Sequence, residues 1–168
     1  MGLFSSFFGQ KTTVSPQLIS IMPLLAIDEI KNGNLPVLAT DTVILKKDEK
    51  LHYVDKAIYL QKNIKKRYKS NHFGISLPGF FKGNRIHLGD AESRSINDII
   101  VEQKKGILYI TNKRIIFIGK DVGIEKSINK VTAIKPYTNG IELQFGNNII
   151  TFFVPDGAVL NLVIKLLN

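Results

Sequence analysis

The run at residues 106–119, Gly-Ile-Leu-Tyr-Ile-Thr-Asn-Lys-Arg-Ile-Ile-Phe-Ile-Gly, constrains the fold more than any other stretch. It reads as two short strands joined by a turn at Thr111, Asn112, Lys113 and Arg114. Successive side chains on a strand point to opposite faces. Ile107, Tyr109 and Thr111 therefore share one face of the first strand, and Leu108 and Ile110 share the other. On the second strand Arg114, Ile116 and Ile118 oppose Ile115 and Phe117. Both faces are mostly apolar, which predicts a hairpin covered on each side. Asn112 suits the turn because it tolerates positive φ. The signal is structural and carries no chemistry.

Turn residues divide the rest of the chain into further elements. A polar turn at residues 47–50 leads into a long strand over 51–68, bulged near Asp55 and Lys56. Its second half places Ile58, Leu60, Lys62, Ile64, Lys66 and Tyr68 on an inner face. Tyr59, Gln61, Asn63, Lys65, Arg67 and Lys69 fall on an outer, polar one. Residues 70–98 hold Gly74, Pro78, Gly79, Gly83 and Gly89, an ordered excursion rather than a bare linker. Residues 98–104 are expected to pair into the hairpin, with strands at 123–128 and 130–136 after it. Asn139-Gly140 marks a tight turn, after which Ile141, Leu143 and Phe145 alternate with Glu142 and Gln144. A second turn at 146–148 leads to Ile150, Phe152 and Val154 on one face. Asp156 can cap a last helix in which only Asn161 and Lys165 are clearly polar. A helix apolar nearly all round must be buried widely.

The N-terminal region reads as helical over residues 12–36, with Ser15-Pro16 as cap and first position. Pro23 imposes a kink or a fresh start. Leu24, Leu25, Ile27 and Ile30 make an apolar stripe, and Gly33 with Pro36 marks its end. Ahead of it, Leu3 with Phe7 and Phe4 with Phe8 lie at i,i+4 spacing, so a short helix there carries one aromatic stripe. So short a helix is marginal alone in water and needs a bilayer, a partner or its own barrel to cover the stripe.

The chain has 168 residues, enough for one domain with a real core and a helical appendage. It has no cysteine, which excludes disulfides and thiolate zinc sites and fits a reducing cytoplasm. No run approaches the roughly 20 apolar residues of a membrane span, and no secretory signal pattern is expected at the N-terminus. Net charge is +9, and its distribution is uneven. Between residues 56 and 88 stand eight cations and no acid: Lys56, Lys62, Lys65, Lys66, Arg67, Lys69, Lys82 and Arg85. Such a field favours anionic partners. The competing reading is a solvated strand face that lysine keeps from edge pairing.

A glycine, then Leu-Tyr-Ile-Thr-Asn-Lys-Arg-Ile-Ile-Phe, then short strands and a last helix resembles the GRAM and bacterial pleckstrin-homology (PH)-like domains. The resemblance spans residues 50–168 in order of elements, and only the hairpin is specific in its letters. It implies a mainly β (α+β) fold: a bent antiparallel sheet forming a partly open barrel, capped by the C-terminal helix. The strand at 51–68 becomes the first barrel strand. Residues 1–36 are then an N-terminal amphipathic segment and helical arm, and 37–168 the barrel domain. The plug is expected from Val159, Leu162, Val163 and Leu166, set against the strands carrying Leu108 or Ile110 and Ile150 or Phe152. The resemblance also implies lipid or protein binding rather than catalysis.

The residues themselves offer no catalytic constellation. His52, His72 and His87 lie singly, without metal-ligand spacing, and neither a phosphate-binding glycine loop nor a G-x-S-x-G elbow occurs. No cofactor is expected. The leading expectation is a non-enzymatic cytoplasmic binding module, peripheral at an anionic inner-membrane surface or part of a protein assembly. Phe4, Phe7 and Phe8 would insert, while Lys62, Lys65, Lys66 and Arg67 would meet headgroups. Phe80 and Phe81 beside Lys82 and Arg85 would make a second interfacial contact. The alternative is a homo-oligomeric protein-interaction scaffold. Nucleic-acid binding ranks last, because Tyr59 and Tyr68 stand only near the ends of the basic run.

Overall fold

The structure, a computed structural model, describes residues 17–70, 75–78, 85–88 and 93–168, with side chains over 17–63 and 100–168. It divides into two compact units at Gln61/Lys62 and Glu102/Gln103. Nine strands are present among the described residues: β1 (Leu51–Ser70), β2 (Ile75–Pro78), β3 (Arg85–Leu88), β4 (Ser93–Thr111), β5 (Arg114–Gly119), β6 (Gly123–Ser127), β7 (Ala133–Tyr137), β8 (Gly140–Phe145) and β9 (Asn148–Phe153). Two α-helices join them, α1 (Leu24–Lys31) and α2 (Gly157–Leu167). Seven strands form one sheet in the order β6-β5-β4-β1-β9-β8-β7. Two antiparallel meanders, β4 to β6 and β7 to β9, are thus joined through β1. With a helix following the last strand, this is an unclosed antiparallel sheet with a C-terminal helix, the mainly β architecture expected from the sequence. The second unit, Lys62–Glu102, contains the β2–β3 hairpin, with Ile75 opposite Leu88 and Pro78 opposite Arg85.

The β4–β5 hairpin has the parity read from its sequence, with Ile110 opposite Ile115 and Leu108 opposite Phe117. Leu108, Ile110, Ile115 and Phe117 enter the main core with Tyr53, Ile141, Leu143, Ile150, Phe152 and Val163. Tyr109 and Ile116 enter a smaller cluster on the other face, with Val43 and Leu51. Both sides are therefore covered. β4 is one continuous strand running into the hairpin, not a separate strand before Gly106. Gly106 is required where it stands, because a Cβ there would overlap the Ile118 carbonyl and the Phe117 ring.

Asn112 does not use its tolerance for positive φ; among non-glycine described residues only Asp48 has one, at 58°. Asn112 instead clamps two turns together. Its amide N–H donates to the Lys50 carbonyl at 3.1 Å, and its side-chain Oδ1 accepts from Lys50 N at 2.9 Å. Its Nδ2 donates to the Asp48 carbonyl at 3.1 Å. Beside it, Glu49 is buried against the hairpin. Arg114 grips Glu49 bidentately, Nε to Oε1 at 2.8 Å and Nη2 to Oε2 at 2.8 Å. Thr111 Oγ1 donates to Oε1 at 2.6 Å, and Lys46 N donates to Oε2 at 2.7 Å. Four donors satisfy a carboxylate that burial alone would penalise.

β1 reverses one expectation. Ile58 and Leu60 are buried, but the residues that meet the main core are Tyr53, Ala57 and, partly buried, Tyr59. Tyr59 packs its ring 6.1 Å from Phe117 and 5.8 Å from Phe152, themselves 5.4 Å apart, joining β1, β5 and β9. The supposed polar face is thus apolar where β1 crosses between the two meanders. Both faces of a strand at such a crossing are covered, so period-2 polarity is lost.

The N-terminal helix is also shorter than expected. Residues 17–23 are not helical, and the 12–16 portion of the expectation lies outside the described residues. Pro23 sits at the N-cap with ψ 135° and gives a fresh start rather than a kink. Before it, the N–H groups are spent elsewhere: Ile21 N donates to Asp55 Oδ1 at 2.8 Å and Met22 N to Ser20 Oγ at 3.1 Å. Side-chain acceptors of this kind compete with a helical ladder. The end is as read. Gly33 N donates to Ile30 O and Asn34 N to Glu29 O, with Gly33 at φ 85°, which is a Schellman stop. Of the stripe, Ile30 is buried and Ile27 partly so, with Ala26 beside them, whereas Leu24 and Leu25 are exposed.

The last helix starts as expected, with Asp156 Oδ1 accepting from Ala158 N at 2.9 Å and Val159 N at 3.1 Å. Gly157 lies so tightly on the β7–β8 turn that a Cβ would overlap the Tyr137 and Gly140 carbonyls. α2 packs against α1, β7 and β8. The plug is Val159, Leu160, Val163 and Ile164, each buried to within 3% exposure. Leu162 and Leu166 are 37% and 40% exposed, which corrects that half of the expected plug. In a helix this uniformly apolar, composition marks no inner face, so the docking of Gly157 sets it.

Leu160→Ala and Ile164→Ala should each cost about 2–5 kcal/mol through lost burial and a residual cavity. Leu162→Ala should cost about 1 kcal/mol or less, and Lys165→Ala near zero, all measured by chemical denaturation. The Arg114 hydrogen bonds hold the Glu49 pKa at about 2, against an ordinary 4.5. A depressed carboxylate stabilises the fold above its unfolded pKa and stops doing so as pH falls through the folded one. Stability should therefore decline between about pH 4.5 and pH 2 by about 3 kcal/mol from this group. Glu49→Gln should remove that part of the slope in denaturation midpoints measured across the same range.

Candidate functional site

Two regions qualify by chemistry: the basic and aromatic residues singled out in the sequence, and a cleft in the first unit. Of the former, Phe4, Phe7, Phe8, Phe80, Phe81 and Lys82 lie outside the described residues. Lys62, Lys65, Lys66 and Arg67 fall on β1 and Arg85 on β3. Lys62 is exposed; of the other four only the backbone is described. All five belong to the unit Lys62–Glu102.

His52, one of the three single histidines, is a packing residue. It is buried, and its Nδ1 donates to the Pro36 carbonyl at 2.7 Å. His72 lies outside the described residues, and His87 lies on β3. Among the described residues no three His, Asp or Glu side chains gather closely enough to hold a metal ion. None of the described helices is long and apolar enough to cross a membrane.

The cleft was not legible in the sequence. It has a volume of about 300 Å³ and lies between the start of α1, the first residues of β1 and the first turn of α2. Met22, Leu24, Ile27, Pro155 and Val159 give it apolar walls, and Asp28, Asp55, Asp156 and Lys31 bring charge to it. Strand alternation aligns Tyr53 with Asp55 on one face of β1. Asp55 is buried and accepts three hydrogen bonds, from Ser20 Oγ at 2.6 Å, Ile21 N at 2.8 Å and Lys56 N at 2.9 Å. Tyr53 also lines the cleft, is only 1% exposed, and its hydroxyl has no hydrogen-bond partner. Burial first, then the charges of Asp55 and Asp156, push its ionisation well above the usual phenol range. The hydroxyl is therefore neutral at any physiological pH. The one sequence signal that pointed here was the Asp156 cap, which fixes a carboxylate at the start of α2.

No protein-family model matches the sequence, and no curated protein is similar to it at a significant level. Among solved structures the chain is similar to a Vps36 N-terminal PH domain, with 12% identity and a TM-score of 0.43, covering 79% of this chain and 89% of that one.

Proposed function

We propose that this chain is a non-enzymatic binding module of PH-like architecture that acts peripherally at an anionic membrane surface on the cytoplasmic side. The observation that carries the reading is the acid-free segment from residue 56 to 88 with its eight cations, on a chain that opens with a phenylalanine stripe. In this reading residues 1–36 are the arm and 37–168 the binding domain. Phe4, Phe7 and Phe8 enter the interface. Lys62, Lys65, Lys66 and Arg67 engage headgroups, and Phe80 and Phe81 beside Lys82 and Arg85 make a second interfacial contact. The likeness of the hairpin letters to GRAM and bacterial PH-like domains supports the same assignment. Each cation near an anionic surface contributes about 1 kcal/mol, screened by salt.

Flotation with anionic and neutral liposomes tests this. The full chain should float with anionic vesicles and lose that association at high salt. Removing residues 1–11, or neutralising Lys62, Lys65, Lys66 and Arg67 together, should lower the bound fraction roughly tenfold or more. Binding indifferent to lipid charge and to both changes would overturn the membrane reading.

A homo-oligomeric scaffold is the second reading, favoured by an apolar surface on the N-terminal arm. Ile19, Leu24 and Leu25 are 78–79% exposed, and Ile21 is 46% exposed. Single exposed apolar residues are ordinary, but four within residues 19–25 are more apolar exposure than scatter accounts for. Light scattering over a dilution series should then show a concentration-dependent mass that Leu24→Glu with Leu25→Glu abolishes. A constant monomer mass at high concentration removes this reading.

A further inference from the structure

The geometry points to a protein-docking edge apart from the basic segment: β6 takes an added strand, an extended segment of a partner protein that carries carboxylates. β6 and β7 are the two outer strands of the seven-stranded sheet. The phase of the β5–β6 ladder decides which backbone groups of β6 stay free. Gly119 N donates to the Val122 carbonyl at 2.8 Å, and Ile128 N donates to the Lys113 carbonyl at 3.0 Å. With Ile116 opposite Glu125 and Phe117 opposite Ile124, both bonds put the ladder on the even-numbered residues of β6. Hydrogen-bonded and non-hydrogen-bonded positions alternate in an antiparallel pair. Ile124 and Lys126 therefore spend their backbone groups on β5, and those of Gly123, Glu125 and Ser127 point away from the sheet. The edge of β7 is blunter, because it contains Pro136, which has no N–H.

A cleft of about 590 Å³ adjoins the β6 edge. Glu125, Lys126 and Ser127 line it, with Lys130, Phe145 and Asn148 beyond. Consecutive strand residues face opposite ways, so a cleft that meets three in a row reaches the strand at its edge. The charge left for a partner is positive. Glu125 is committed, its Oε1 lying 3.0 Å from Arg114 Nη1 and 3.7 Å from Lys46 Nζ. Lys126 and Lys130 form no ion pair among the described residues. Carboxylates on the partner complement those two lysines. A free edge offers N–H and C=O groups at every second residue, and another polypeptide backbone matches that repeat. A lone phosphate or a lipid headgroup satisfies the lysines and leaves the edge carbonyls unpaired. Charges on an edge strand also guard it against self-pairing. With Glu125 neutralised, the guard here has one sign, which repels a second β6 and admits an acidic strand.

Amide titration and hydrogen exchange on the isotope-labelled full chain, at physiological salt, test the proposal. The probes are a capped hexapeptide alternating glutamate and threonine, its lysine–threonine counterpart, and inorganic phosphate. At saturation the acidic peptide should slow exchange of the Gly123, Glu125 and Ser127 amides about tenfold or more. The Ile124 and Lys126 amides, already bonded to β5, should change little. The acidic peptide should bind at least about tenfold more tightly than the lysine one. Ser127→Pro removes one outward N–H at a residue whose φ is already −65°, so the fold is kept while affinity falls about threefold to tenfold. Lys126→Glu with Lys130→Glu should invert the preference between the peptides. Equal affinity for the two peptides, the same shifts with phosphate, unslowed exchange at the three outward amides, or unchanged affinity in Ser127→Pro would overturn docking at this edge. So would protection of these amides that rises with chain concentration in the absence of peptide, which assigns the edge to a second copy. Neutralising Lys62, Lys65, Lys66 and Arg67 together should leave peptide affinity and the protection pattern in place; loss of binding there moves the peptide to the basic segment and overturns the proposal. Ser127→Pro should float with anionic liposomes as the unaltered chain does, so this edge and the membrane reading stand or fall separately.

Discussion

The fold depends on one buried ion pair held in a small hydrogen-bonded group, Glu49 with Arg114. A hairpin apolar on both faces needs two covers. The sheet and α2 provide one, and the segment carrying Val43 and Leu51 provides the other. That segment has few apolar anchors and little regular structure between Leu38 and Leu51. Glu49 and Asn112 fix it in place by bonding one turn directly to the other. A buried pair often gains little over an apolar substitute of the same shape, yet breaking it by removing one partner is costly. Here its value is geometric. It aligns the 47–50 turn on the 111–114 turn, and Tyr109 and Ile116 are covered as a consequence.

The opposite face obeys a different constraint. The aromatic trio of Tyr59, Phe117 and Phe152 joins strands from both meanders and makes β1 the element shared by the two halves of the sheet. α2 then closes over Ile141, Leu143 and Phe152. Gly157 allows that closure because no side chain could stand between the helix and the β7–β8 carbonyls. α1 comes next, adding Ala26 and Ile30 to the same core, with Met22 just ahead of it. The cleft is a by-product of this packing. It lies where α1, β1 and α2 meet without filling the space, and it inherits the carboxylates that hold those elements: Asp55 for the chain before α1 and Asp156 for α2. The groups that build the corner are those that give it its charge.

Much of the fold was readable in the order of residues. The hairpin parity, the Gly33 stop and the Asp156 cap are local signals, each set by a few neighbouring residues, and the turn signalled at Asn139-Gly140 falls one residue earlier, at Thr138 and Asn139. Sequence-local physics was enough because strand alternation, glycine conformation and capping operate within one turn of chain. What failed was everything decided by contacts far along the chain. Ser20 and Asp55 are 35 residues apart, and their bond helps keep residues 17–23 out of a helix. Asn112 and Lys50 are 62 apart, so the clamp gave no sign of itself within either turn.

The same division applies to the candidate sites. The basic segment was visible as composition, because charge is a property of the residues wherever they fold. The cleft was not, because Tyr53, Asp28 and Asp156 become neighbours only when β1, α1 and α2 meet. By itself the sequence determined most strands of the seven-stranded sheet, the capped last helix and the sign of the net charge, but not the paired strands β2 and β3 within the glycine-rich excursion. Tertiary structure alone decided which face of β1 meets the core, which leucines of α2 are buried, and where unpartnered polar groups are left. A strand or helix with two apolar faces can be buried on either, and only its packing partners choose between them.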